Sequence, residues 1–268
     1  MNEAKGSFFE ASKKFHTATQ KAVIISESRL GIIHTGRQNR VLMTFAKTVT
    51  HAMSIQLIYG HAIKIPTEVG LLDHFSVATL TRSLIDTAIM TLYLSEPSLS
   101  LAAWDLRRHV LFLHDLTNRR RFLTTMSKLT QKSAPPSDKD AYYRAKNRIL
   151  EVIKNRGNAL LLPATRIEDL CKGQIVFIDG LRGAVREAGL DVDHYEFFQV
   201  YLSNHVHGHP GSYLRVDEQE ISFESPSDFQ FGFCGLCLDA GAQYLEAITE
   251  RVEIFTGNST SDPNGHLD

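Results

Sequence analysis

LLDHFSVATLTRSLIDTAIMTLYL, residues 71–94, reads as a helix with no side to leave in water. Its only formally charged residues are Asp73, Arg82 and Asp86. At about 100° per residue, Val77, Leu80, Leu84 and Ala88 make one face, and Phe75, Ile89 and Tyr93 share the other with Arg82 and Asp86. A helix apolar nearly all round belongs in the centre of a bundle, and Asp73 is placed to cap its start. The charged pair must be satisfied inside, because a lone buried charge costs several kcal/mol. Arg before Asp is the weaker i, i+4 order for a surface pair, so both groups are expected to reach partners on other helices.

Helical spacing runs through the rest of the 268 residues. Helices are predicted near 4–28, 38–62, 72–95, 98–131, 138–157, 174–188, 194–207 and 227–255. Pro66 stops the second, Ser95-Glu96-Pro97-Ser98 turns into the fourth, and Ser133-Ala134-Pro135-Pro136-Ser137 is expected to be a loop. Residues 208–225 look irregular, with room for a small hairpin over 212–223. Strand-like alternation is otherwise missing. The expected fold is therefore all-α, an irregular single-domain bundle of about seven or eight helices over 1–256, with a polar, disordered tail over 257–268.

With 43% hydrophobic and 22% charged residues the chain is ordinarily globular, and a net charge of −1 gives it no global pull toward polyanions. The charge is nevertheless uneven. Residues 107–156 hold thirteen Lys or Arg and four acids, whereas 216–253 hold nine acids and one Arg. The two stretches could offset one another, or the basic one could meet RNA, a nucleotide or another phosphate-bearing partner. Along the sequence that segment lacks the closely interleaved aromatics of a stacking platform. Three cysteines, Cys171, Cys234 and Cys237, are too few for a disulfide framework and point to a reducing, cytoplasmic setting. The first residues, MNEAKGSFFEASKKF, have no apolar leader, and no uncharged apolar window of about 18 residues is seen, so neither export nor a transmembrane helix is expected.

Chemistry-bearing side chains crowd into YLSNHVHGHPGSYLR, residues 201–215. Glu196, Val200, Ser203 and His207 line one helical stripe, and Phe198, Leu202 and Val206 a neighbouring one that should face the core. Gly208 then ends the helix, with His207 at its negative end. A Ser–His pair at i, i+4 admits a nucleophile and base, but no oxyanion hole or strained elbow accompanies it. His207 is better placed to anchor the helix against Arg82 and Asp86, or to act as acid or base on a bound ligand. The arrangement proposed from sequence is the convergence of Arg82, Asp86, Ser203 and His207 between two helices.

Glu196, His205 and His209 are added as candidates for ligand contact. Alternate residues of a helix diverge by about 200°, so His205, His207 and His209 do not make a metal site while helical, and no metal or cofactor is expected. Cys234-Gly-Leu-Cys237 lies inside a predicted helix with no second pair at zinc spacing, and reads as small residues for close packing. A last pair is Arg107 and His114, about 20° apart on a helical wheel; Arg108 and His114 diverge by about 120°.

Arg82-x-x-x-Asp86 in an apolar helix, followed by Tyr201-x-Ser203-x-x-x-His207-Gly208, resembles a widespread set of uncharacterised all-helical bacterial proteins with Arg-x-x-x-Glu and Ser-x-x-x-His helices. The likeness spans about residues 65–250, with Asp86 where that pattern has Glu. More distantly, the Arg–His spacing of Arg107, Arg108 and His114 is similar to the HEPN domains of toxin and phage-defence systems. That resemblance implies Arg and His acting on RNA phosphates across a homodimer interface without metal. The functional expectation is a bacterial stress or defence protein acting on nucleic acid or nucleotide. The alternative is a non-enzymatic helical binding or scaffold module whose Arg, Asp, Ser and His only fix packing.

Overall fold

The computed structural model describes residues 3–64, 71–130, 136–222 and 225–257. Among these the fold is all-α, with nine α-helices and no strand. They are α1 (Glu3–Ser28), α2 (Gly36–Lys64), α3 (His74–Leu94), α4 (Leu101–Thr130), α5 (Pro136–Ala159), α6 (Ala164–Cys171), α7 (Gly180–Glu187), α8 (Val192–Val206) and α9 (Asp228–Gly257). The helices separate into two compact units, one built from residues 1–97 and 188–266 and the other from 98–187.

In the first unit α3 contacts α2, α8 and α9, the enclosure its sequence demands. Val77, Leu84, Ile85, Ala88 and Ile89 are all 0% exposed. Asp73 caps the helix by accepting a hydrogen bond from the Ser76 amide, as its position predicts. The α2–α3 seam is held partly by hydroxyls, with Thr48 donating to Thr87 and Thr91 to Thr44. α1 and α9 run parallel and close, because two glycines of α9 face α1, one its backbone and one a ring. A Cβ on Gly235 would stand 3.3 Å from the Phe8 backbone, and one on Gly241 2.7 Å from the Phe15 ring. Gly235 sits between Cys234 and Cys237, both 0% exposed, so the CxxC does lie at a tight helix contact.

Arg37 is the polar keystone of this unit. It is 0% exposed, its Nε donates to the Leu94 carbonyl and an Nη to the Glu96 carbonyl, and the guanidinium stacks on Phe255. It thereby takes up carbonyls that the end of α3 leaves without helical partners. The stretch Gly36–Gly60 of α2 is long and apolar enough to cross a membrane by length and composition, although the sequence reading excludes such a helix. About a third of it is buried inside the protein.

The second unit packs Leu106, Val110 and Leu113 of α4 against Ile153 of α5, Leu170 of α6 and Ile178. Three features depart from the sequence reading. Pro136 and Ser137 open α5 instead of lying in a loop, since a proline is well tolerated in a first helical turn. α6 was missed because only Ile167 and Leu170 mark its buried side, too few to show a period. The predicted 174–188 helix is shorter, beginning at Gly180.

In the first unit again, the hairpin foreseen over 212–223 is not there. Pro210–Ser212 forms a 3-10 turn, and further turns run to Glu220. α9 begins instead with a capping box, which a Ser-x-x-Gln pattern could have revealed. The Ser227 and Gln230 side chains bond each other's backbone amides. Pro66, residues 133–135, Phe223 and the tail over 258–268 lie outside the described residues.

Arg37→Met keeps the bulk and removes the donors, so the Leu94 and Glu96 carbonyls lose their partners. We expect a loss of roughly 2–4 kcal/mol in urea unfolding of the whole chain. A change below 0.5 kcal/mol would show that Arg37 does not hold this junction.

Candidate functional site

Arg82 and Asp86 do meet, as an ion pair one turn apart on α3. Only 12% of the Arg82 side chain reaches solvent, against 46% for Asp86. Protein around Asp86 pushes its carboxyl above the ordinary value against the pull of Arg82, but with so much of it in water Asp86 stays ionised at neutral pH. Across the α3–α8 interface stands Tyr195, 1% exposed. Burial pushes its phenol up to about 12, despite the nearby guanidinium. The Tyr195 hydroxyl and the Arg82 Nε are buried without a hydrogen-bond partner among the described residues. Tyr244 of α9 also lines this region, beside a hollow of about 290 Å3 bounded by Leu190, Asp191, His194 and Gln243.

Ser203 and His207 are not brought to this pair. α3 and α8 pack antiparallel, so Arg82 meets Tyr195 near the start of α8, while His74 at the start of α3 meets His205 near its end, with ring centroids 6.4 Å apart. Arg82 lies two turns beyond His74, about 12 Å along the helix. The Ser203 hydroxyl donates back to the Gln199 carbonyl. His207 caps α8 in the open beside His209, their rings 5.4 Å apart. The stripe of Val200, Ser203 and His207 thus points away from Arg82, with Val200 itself 69% exposed. Phe198 and Leu202 are buried as expected, whereas Val206 is exposed. Glu196 is half-buried. No three metal-ligating side chains gather among the described residues.

His205 has a different environment from its sequence neighbours. Its ring stacks on Phe233 and meets Tyr201 and Phe75, while His74 meets Phe75, Phe229 and Phe233. Burial lowers the His74 pKa to about 4, with His205 adding to the effect, and burial lowers His205 too.

The densest charged cluster lies in the second unit, where the sequence reading placed only Arg107 and His114. Arg107 is 5% exposed and donates from one Nη to both carboxylate oxygens of Glu187, at 2.8 and 3.0 Å. His114 faces Asn118 instead. Two residues before Arg107, Asp105, also 5% exposed, collects three partners. Arg108 donates to it at 3.0 Å, Arg156 of α5 donates through Nε at 2.7 Å, and His109 Nδ1 lies 3.1 Å from its carboxylate and 2.8 Å from its carbonyl. Burial alone would raise the Asp105 pKa, but Arg156, His109 and Arg108 outweigh it and hold the carboxyl below the ordinary range. The i+3 and i+4 spacing to Arg108 and His109 was legible. Arg156, 51 residues away, was not.

From this cluster a continuous strip runs along α4. His109, Phe112, Leu116, Arg119 and Leu123 follow i, i+3, i+7, i+10 and i+14, so they share one face. Arg120 stacks on Tyr142 of α5, 5.4 Å from the ring centroid. Phe122 and Tyr143 stand 66% and 56% exposed, and Arg121, Lys139, Arg144 and Arg148 of the same two helices are exposed as well. Phe112 and Phe122 of α4 and Tyr142 and Tyr143 of α5 are the Phe and Tyr residues of these two helices.

The two histidines in the aromatic cluster give a pH signature in the first unit. A lowered folded-state pKa means the unfolded chain binds more protons between about pH 6.5 and 4, so stability is present above pH 6.5 and falls as the pH drops toward 4. His74 alone should cost roughly 2–3 kcal/mol by pH 4.5. Urea unfolding at both pH values should show the loss, and His74→Phe should flatten the slope. An unchanged slope in that variant would refute the assignment.

No family model, curated protein or solved structure matches this chain.

Proposed function

We propose that the α4–α5 face of the second unit binds single-stranded RNA. The observation that carries this reading is the strip of cations and aromatic rings along α4 and α5. Among the described residues, Arg121, Lys128, Lys139, Arg144 and Arg148 pair with no carboxylate. Residues 98–187 hold seventeen Lys and Arg against nine acids, a net +8, while the rest of the chain holds twelve against twenty-one, a net −9. A chain neutral as a whole therefore offers a strongly basic surface on one unit. Arg and Lys would meet backbone phosphates, and Phe112, Phe122, Tyr142 and Tyr143 would stack on unpaired bases, which is how strands are held without sequence readout.

The Arg82–Asp86–Tyr195 group fits a different role. It ties α3 to α8 as a packing device, in keeping with the scaffold alternative for that pair. Ser203 and His207, remote from it, support no hydrolytic chemistry there.

The test is fluorescence anisotropy with an unstructured 12-nucleotide RNA at 50 mM salt. We expect binding whose log–log salt slope steepens by about 0.7 per phosphate contact. Joint replacement of Arg121 and Arg144 by Ala should flatten the slope by roughly 1.4. Tyr143→Ala should weaken binding by about 1–3 kcal/mol with the slope unchanged. No binding at 50 µM protein would end the proposal.

A further inference from the structure

We infer that the Asp105 cluster is a receptor for a terminal phosphate monoester, the phosphorylated end of a strand lying along α4. This rests on the RNA-binding reading and adds to it the chemical group recognised. Asp105 holds two side chains by their inner nitrogens, Arg156 by Nε and His109 by Nδ1. Their outer nitrogens face away from the carboxylate. The Arg156 side chain is 45% exposed, and its two Nη groups have no acceptor among the described residues. His109 Nε2 likewise has no hydrogen-bond partner among them. A third cation, Arg108, is fixed on the same carboxylate. One carboxylate thus anchors both the Arg156 fork of donors and the His109 imidazole.

The imidazole is what separates a strand end from a strand interior. Nδ1 lies against the carboxylate and carbonyl of Asp105, both acceptors, so Nδ1 carries a proton, and a ring with no second proton would present Nε2 as an acceptor. A backbone phosphodiester has only acceptor oxygens and would meet that lone pair with its own. A phosphate monoester loses its second proton near pH 6. In its monoanion the P–OH proton can be shared with or passed to Nε2, leaving a phosphate dianion against an imidazolium backed by Asp105. No bond to phosphorus forms or breaks. The Arg156 fork then takes two phosphate oxygens. The position also suits an end group, because the cluster opens the strip that continues through Phe112 and Arg119.

The same 10-nucleotide RNA is compared as the 5′-phosphate, the 3′-phosphate and the unphosphorylated strand, by anisotropy at constant ionic strength. One phosphorylated form should bind at least fivefold tighter than the bare strand, and which one tells the strand polarity. Arg156→Gln and His109→Leu should each abolish that preference, bringing the phosphorylated strand to the affinity that the same variant shows for the unphosphorylated one. Because Arg156 helps neutralise buried Asp105, the double variant Asp105→Asn/Arg156→Gln serves as a second probe that leaves no uncompensated charge. A further arm titrates uridine 5′-monophosphate and inorganic phosphate while following the His109 ring by NMR. Equal affinity for all three strands overturns the inference and leaves RNA binding standing. Absence of RNA binding, with His109 still responding to the monophosphate, removes the strand and keeps the receptor. No response of His109 to either phosphate, with no strand preference, removes the receptor.

Discussion

An apolar helix with no wet face has to be enclosed on all sides, and α3 imposes that requirement on the first unit. It is met by α2, α8 and α9, with α1 packed along α9 behind them. Enclosure leaves little room for polar groups, and several of those on or beside α3 are resolved locally. Arg82 turns to Asp86 on its own helix, the threonines bond across the α2 seam, and the carbonyls at the end of α3 take the guanidinium of Arg37. The fully buried Arg37 is held by two carbonyl acceptors and the Phe255 ring.

The second unit answers to a charge constraint. A carboxylate as buried as Asp105 cannot stay ionised without compensation, and it recruits Arg108, Arg156 and His109 to supply it. What neutralises the acid also fixes the rotamers of Arg156 and His109. A structural necessity at the α4–α5 junction thereby becomes a rigid feature at one end of the α4 strip. The Arg107–Glu187 pair is a second buried ion pair of this unit.

Much of the secondary structure was legible because helical periodicity is a local signal. α3 could be recognised by its two apolar faces, Asp73 by its capping position and Phe198 and Leu202 by their stripe. Short elements failed for lack of signal: α6 has two buried residues to announce it. The candidate quartet failed for another reason. Sequence spacing correctly put Arg82 with Asp86 and Ser203 with His207 on their own helices. The direction in which α3 and α8 cross set the pairs at different levels, and no spacing within either helix carries that information.

The sequence by itself determined the helical class, the enclosed position of α3, and the uneven partition of charge along the chain, since all three follow from residue type and period. Only the tertiary structure decided which polar groups meet. Antiparallel packing gave His205 to an aromatic cluster and left His207 in water, and the return of α5 carried Arg156 and Tyr142 back to α4. Contacts between residues far apart in the chain depend on the register and crossing of whole helices, which many side chains set together and none sets alone.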